Sequence, residues 1–170
     1  MMHRAVLLIG GNQGDRRELI EQATVLIQER IGTVALASAI YETEPWGDFE
    51  DGCEGVGVRS FFNRALVVET ERSAHEVLRE ALDIERELGR SRSAVKAALA
   101  GGHRLYHSRP MDIDLIFWDD EVIDTPDLTI PHPRMHLRRF VLEPLNEIIP
   151  DYRHPLFGKT VAELLGGLLG

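Results

Sequence analysis

The 170-residue chain predicts an α+β domain built on an antiparallel sheet. Apolar runs of strand character occur near residues 4–9, 34–40, 61–69 and 112–118, and two helix-length amphipathic stretches interrupt them. The resulting order, strand, helix, strand, strand, helix, strand, is the ferredoxin-like one, with the helices on one face of the sheet. A further capped apolar stretch near the end adds a C-terminal helical segment. With 44% hydrophobic and 28% charged residues, residues 1–170 suit one globular domain.

Each element has its own justification. Residues 4–9 form a first strand that runs into Gly10-Gly11-Asn12-Gln13-Gly14. Asp15 caps a helix, with Glu18 completing a capping box and Leu19, Ala23, Leu26 and Ile27 forming its buried stripe. Val34, Leu36, Ser38 and Ile40 alternate as one second strand, followed by a long glycine-rich loop to residue 60. Residues 61–69 make the third strand. Ser73 and Glu76 open a second helix carrying Val77, Ala81, Ile84 and Leu88, and Gly89 is expected to end it in the left-handed conformation. A basic loop, 90–108, leads to the strand with Ile113, Leu115 and Phe117 on one face. A turn at Asp119-Asp120 and a short strand near Val122-Ile123 follow, and Thr160 with Glu163 caps the last helix.

Charge narrows the partners. A net charge of −9 argues against a nucleic-acid or anionic-membrane surface. Against that background, residues 89–109 hold Arg90, Arg92, Lys96, Arg104 and Arg109 with no acid. Residues 130–140 hold Arg134, Arg138 and Arg139 with none, beside His132 and His136. Two basic segments in an acidic chain suit a small polyanion. The lone Cys53 allows no internal disulfide, and the N-terminal apolar run is too short for a signal peptide, so a reducing cytoplasmic setting is expected.

The chemistry concentrates at Arg109-Pro110-Met111-Asp112-Ile113-Asp114. On a strand, Asp112 and Asp114 project from one face with Cα atoms roughly 6.5–7 Å apart. Paired carboxylates suit hard cations such as Mg²⁺, and the planar Arg109 guanidinium suits phosphate oxygens. Taken alone, an Asp-x-Asp triplet also arises as a solvated strand end.

These residues, with others in order along nearly the whole chain, resemble the 6-hydroxymethyl-7,8-dihydropterin pyrophosphokinase family. The matching pieces are Gly10-Gly11-Asn12, Tyr41-Glu42-Thr43-Glu44-Pro45, Phe62-Asn63, the stretch from Glu85 to Arg92, Arg109-x-x-Asp112-Ile113-Asp114, Pro131-His132-Pro133-Arg134 and Arg138-x-Phe140-Val141-Leu142-x-Pro144-Leu145. The resemblance implies transfer of pyrophosphate from ATP to the pterin hydroxymethyl oxygen, releasing AMP. It implies that Asp112 and Asp114 hold two Mg²⁺ ions, with Arg90, Arg92 and Arg109 joining them in catalysis. ATP contacts fall to Leu78, Glu85, Arg92, Arg109, Leu115, Thr129, His132 and Arg138. Pterin contacts fall to Thr43, Pro45, Trp46, Phe61, Asn63 and Phe140, the two rings forming a sandwich and the amide reading the heterocycle's edge.

Read without the resemblance, Phe61 and Phe140 suit core packing and His132 suits a locally satisfied loop. The chain departs from the family pattern at Gly11, Gln13, Leu82, His107, Pro110 and Pro133, and both long loops exceed those of compact members. A regulatory module that binds a small anion without turnover, and a metal-dependent phosphodiesterase, are the competing readings. The phosphodiesterase would want further His or Asp ligands. The expected enzyme acts alone as a monomer on small molecules, with the basic loop closing over bound triphosphate.

Overall fold

The computed structural model describes residues 1–43, 60–89 and 110–169. The expectations for Pro45, Trp46, Arg90, Arg92, Arg109 and the basic loop fall outside those residues.

The strands are β1 (His3–Gly11), β2 (Thr33–Ala37), β3 (Tyr41–Thr43), β4 (Phe61–Thr70), β5 (Asp112–Trp118), β6 (Ile123–Thr125) and β7 (Leu128–Ile130). The helices are α1 (Arg16–Arg30), α2 (Ala74–Leu88), α3 (Arg139–Ile148) and α4 (Val161–Leu169). The main sheet runs β2-β4-β1-β5, all antiparallel, with β3 continuing beside β4. That is the ferredoxin-like order, with β1 and β4 at the centre.

The two helices of the ferredoxin-like order, α1 and α2, lie on one face as the sequence predicts, and the C-terminal helices α3 and α4 cover the other. β1 reads as an unbroken apolar run because both its faces are covered. Ala5, Leu7 and Ile9 join a first core with Ile20, Ala23 and Ile27 of α1 and Val77, Ala81 and Ile84 of α2. Val6 and Leu8 join a second with Val141, Leu142 and Leu145 of α3 and Val161 and Leu165 of α4. Ile20 replaces the predicted Leu19 and Leu26 at the centre of the α1 stripe; those two are only partly buried at its margin.

Local chemistry explains the elements. Ser73 and Glu76 form the reciprocal capping box on α2, and Thr160 with Glu163 repeats it on α4. On α1 the Asp15 carboxylate accepts from the Glu18 N–H at 3.2 Å, while the Glu18 carboxylate accepts from Gln22 rather than reaching back. Gly89 has φ −90°, so α2 ends without the left-handed cap; its N–H donates to the Glu85 carbonyl at 2.7 Å. A separate strand, β3, occupies Tyr41–Thr43 where the long loop is predicted to begin, and β2 stops at Ala37, short of the predicted Ser38 and Ile40. The β2 register slips between Val34 and Leu36, and the Ser38 hydroxyl accepts from the Ala65 N–H in place of a ladder bond, ending β2 before β3 begins.

A bulge also divides β5. Val6 pairs with Phe117 and Leu7 with Leu115, leaving Ile116 as the extra residue. Ile113 and Leu115 therefore pack into the first core, whereas Phe117 turns into the second, against the predicted single face.

Candidate active site

The site forms where β1 finishes in glycine. Gly10 lies between Asn63 of β4 and Asp112 of β5, and Leu8 lies between Ala65 and Asp114. At about 4.8 Å between strands, the backbones of Asn63 and Asp112 stand roughly 10 Å apart across Gly10. A Cβ at Gly10 would collide with the Phe62 carbonyl and with Asn63 Oδ1, so this row requires glycine. Leu8 and Ala65 belong to the second core. By alternation Asn63, Asp112 and Asp114 share that face, at the end of the sheet.

On the β4 side, Asn63 is 5% exposed, and its Nδ2 is buried with no hydrogen-bond partner among the described residues. Leaving such a donor unmet costs about 1–3 kcal/mol, which an acceptor on a ligand would recover. Phe61, two residues away on the same face, is half-buried and pairs with Thr43. Phe140 sits in the first turn of α3, partly buried against the second core. Helix α3 packs on β4 and β3. The Tyr41 hydroxyl and the Ala39 N–H both donate to the Glu147 carboxylate, at 2.7 and 3.2 Å, and fasten β3 to α3. Sequence reasoning missed this tie, since nothing in either residue's surroundings signals a partner 106 positions away. It also missed the spacing role of Gly10, for which a glycine inside a strand was an available signal.

On the β5 side, the edge of the strand away from β1 is met by the Glu85 side chain and by the backbone of His132. The Ile113 N–H donates to Glu85 Oε2 at 2.6 Å, bringing the end of α2 against the strand. The His132 N–H donates to the Ile116 carbonyl at 3.1 Å, after β7 and the cis Ile130–Pro131 bond. His132 Nδ1 accepts from the Arg134 N–H at 3.3 Å, which leaves the ring proton on Nε2. Burial first, then the Arg138 charge, lowers the imidazole from its ordinary value, with Asp112 opposing them, so the ring is neutral near pH 7.

Three carboxyl groups meet here. Burial, followed by the charges of Asp112 and Asp114, pushes Glu85 up to about 8. Such a cluster of carboxyl oxygens fits a hard divalent ion. A second group, His3, Asp119 and Glu121, brings ligand atoms within 4.8 Å of one another beyond the other end of β5. There Asp119 already accepts from the His3 ring and the Arg4 N–H, which fix the turn after β5.

The remaining predicted residues are spread around these two sides. Arg138 stands at the start of α3 with its guanidinium 5.6 Å from the Phe140 ring centroid. Leu78 of α2 is partly buried against the first core, and Leu115 has its side chain inside it. Thr129 is exposed on β7, opposite Asp124. Leu82, where the family pattern has glutamine in some members, is 40% exposed on α2.

A ferredoxin-like sheet ending in paired carboxylates, a buried amide and a neutral histidine has the features of a phosphoryl-transfer enzyme. Residues 6–150 match the family described as 7,8-dihydro-6-hydroxymethylpterin-pyrophosphokinase, and the chain belongs to that family of transferases in folate biosynthesis. It is 37% identical over 150 residues to the 2-amino-4-hydroxy-6-hydroxymethyldihydropteridine pyrophosphokinase of Porphyromonas gingivalis, covering 88% of this chain and 92% of the relative. To the enzyme of the same name from Bacillus subtilis it is 36% identical over 149 residues, covering 87% and 79%. Among solved structures, an HPPK-DHPS in complex with substrates superposes with a TM-score of 0.69 at 19% identity, covering 98% of this chain and 43% of that one. The wild-type Plasmodium falciparum HPPK-DHPS with pteroate gives 0.68 at 18%, covering 98% and 42%. Both are like this chain in fold, and the chain spans less than half their length.

Proposed function

We propose that this chain transfers the pyrophosphoryl group of ATP to 6-hydroxymethyl-7,8-dihydropterin, with the pterin on the β4 side of Gly10 and the triphosphate on the β5 side. The observation that carries this reading is the row Asn63–Gly10–Asp112. A buried, unmet amide donor and a carboxylate stand on one face with no side chain between them.

In this reading Asn63 reads the pterin's polar edge, Phe61 and Phe140 hold its faces, and Thr43, Pro45 and Trp46 complete the pocket. Asp112 and Asp114 would hold two Mg²⁺ ions, which when bound would supply charge neutralisation at the phosphates. The pterin hydroxyl oxygen bonds to the β-phosphorus. The bond from that phosphorus to the α–β bridging oxygen breaks, AMP departs with that oxygen, and the hydroxyl proton is released. His132 donates its Nε2 proton as a hydrogen bond to a phosphate oxygen. Arg90, Arg92, Arg109 and Arg138 face the charge that develops on the transferred group. Glu85, Leu78, the Leu115 backbone on the free edge of β5 and Thr129 line the nucleotide. Residues 1–170 are proposed to work as one cytoplasmic, monomeric domain. Among the described residues no helix is long and apolar enough to cross a membrane.

The test is formation of AMP. It should appear only when ATP, Mg²⁺ and the reduced pterin are all present, in equal amount to the pterin pyrophosphate. ADP as the nucleotide product, or AMP formed without pterin, would overturn the reading.

A further inference from the structure

We propose that Arg16 is a positioning residue for the pterin: it fastens the β3–β4 ladder from the α1 side and so fixes where Phe61, Asn63 and Thr43 stand. This rests on placing the pterin at the β4 side of the site.

Arg16 is the first residue of α1, just after the turn in which Gly14 takes φ 67°. Its Nη1 donates to the Ser60 carbonyl and to Ser60 Oγ, both at 2.9 Å. The same nitrogen is 3.9 Å from Glu42 Oε2, and the Ser60 hydroxyl donates to that carboxylate. The guanidinium carbon lies 4.1 Å from the centroid of the Phe62 ring, a cation–π distance. One side chain therefore grips β3 at Glu42, β4 at Phe62, and the residue that leads into β4.

The grip matters because β3 has only three residues, paired Tyr41 to Asn63, Glu42 to Phe62 and Thr43 to Phe61. A ladder that short is marginal by itself. Alternation then separates the roles. Arg16 takes hold of Glu42 and Phe62, which point to the first-core face, while Thr43, Phe61 and Asn63 point to the opposite face. The guanidinium lies on the far side of the sheet from a ring stacked on Phe61, and acts on it through the position of the strands.

Stability alone does not account for this arginine. Its side chain is only 18% exposed, and its buried Nε has no partner among the described residues. Replacing such a cation with an apolar side chain of similar length is often neutral or stabilising. Methionine at this position would keep the contact with Phe62 and lose the bonds to Ser60 and Glu42.

The test measures KM for the reduced pterin and for ATP by AMP formation, together with Tm, in wild type, Arg16→Met and Arg16→Lys. The expected result for Arg16→Met is a pterin KM raised about tenfold, equivalent to ~1.4 kcal/mol. The ATP KM should stay within about twofold and the Tm within a few degrees, since surplus ion pairs contribute little to stability. Lysine, whose one nitrogen can meet the same acceptors but which lacks the planar guanidinium over Phe62, should fall between the two. An unchanged pterin KM, or equal rises for both substrates, overturns the proposal. Should Arg16→Met fail to fold, Arg16→Lys carries the same comparison. A wild-type protein that forms no AMP with the pterin would instead overturn the functional reading beneath it.

Discussion

Glu85 is the side chain whose state depends most on what occupies the site. In the unfolded chain a glutamate titrates near 4.3. In the folded protein burial, Asp112 and Asp114 push Glu85 up to about 8. Between those values the folded state holds a proton that the unfolded state has released. The contribution of this group is therefore fully present below the unfolded value and is lost as pH rises through the folded one. Glutamine would keep an acceptor for the Ile113 N–H and a donor for Asp112 without ever charging. Unfolding profiles of wild type and Glu85→Gln should thus coincide below about pH 4. Toward pH 9 the variant should become more stable by several kcal/mol, about 1.4 for each pH unit between the two values, with a correspondingly higher Tm. Parallel profiles across that range would mean that Glu85 is already ionised beside Asp112.

At the scale of elements, α3 is the piece that completes the site, because it brings Phe140 and Arg138 to the face already holding Asn63. Phe140→Ala should weaken pterin binding by about 1–3 kcal/mol, the range for losing a stacking partner, and leave nucleotide affinity nearly unchanged. Equal losses in the two titrations would make Phe140 a core residue. This helix is also where reading the sequence fell short. Pro144 lies inside it, and a proline normally breaks a helix interior. Burial of Val141, Leu142 and Leu145 against the sheet outweighs that preference. Elements whose evidence is local were legible: α2 through its capping box, β1 and β4 through their apolar runs. What depended on partners far along the chain was not. The β2–β3 break needs Ala65 opposite Ser38, and the turn of Phe117 into the second core needs the slip against Val6 and Leu7. The candidate site was legible as a set of residue types in order. Its arrangement, with Gly10 as the gap between Asn63 and Asp112, needed the sheet.

The described residues form a five-stranded antiparallel frame carrying a core on each face, and the site opens where β1 finishes in Gly10 and Gly11. The central prediction is spatial: the groups that hold the pterin and the metal-bound triphosphate share one face, on strands about two strand spacings, roughly 10 Å, apart. Mn²⁺ fits the same carboxylate oxygens as Mg²⁺ and is paramagnetic. The direct measurement is the relaxation of pterin protons by NMR in the ternary complex of protein, Mn²⁺ with a non-hydrolysable ATP analogue, and 6-hydroxymethylpterin. Strong relaxation of the hydroxymethyl protons is predicted, lost in Asp112→Asn and Asp114→Asn while the pterin still binds. Bound pterin whose protons are unaffected by Mn²⁺ in the wild-type complex would contradict the account.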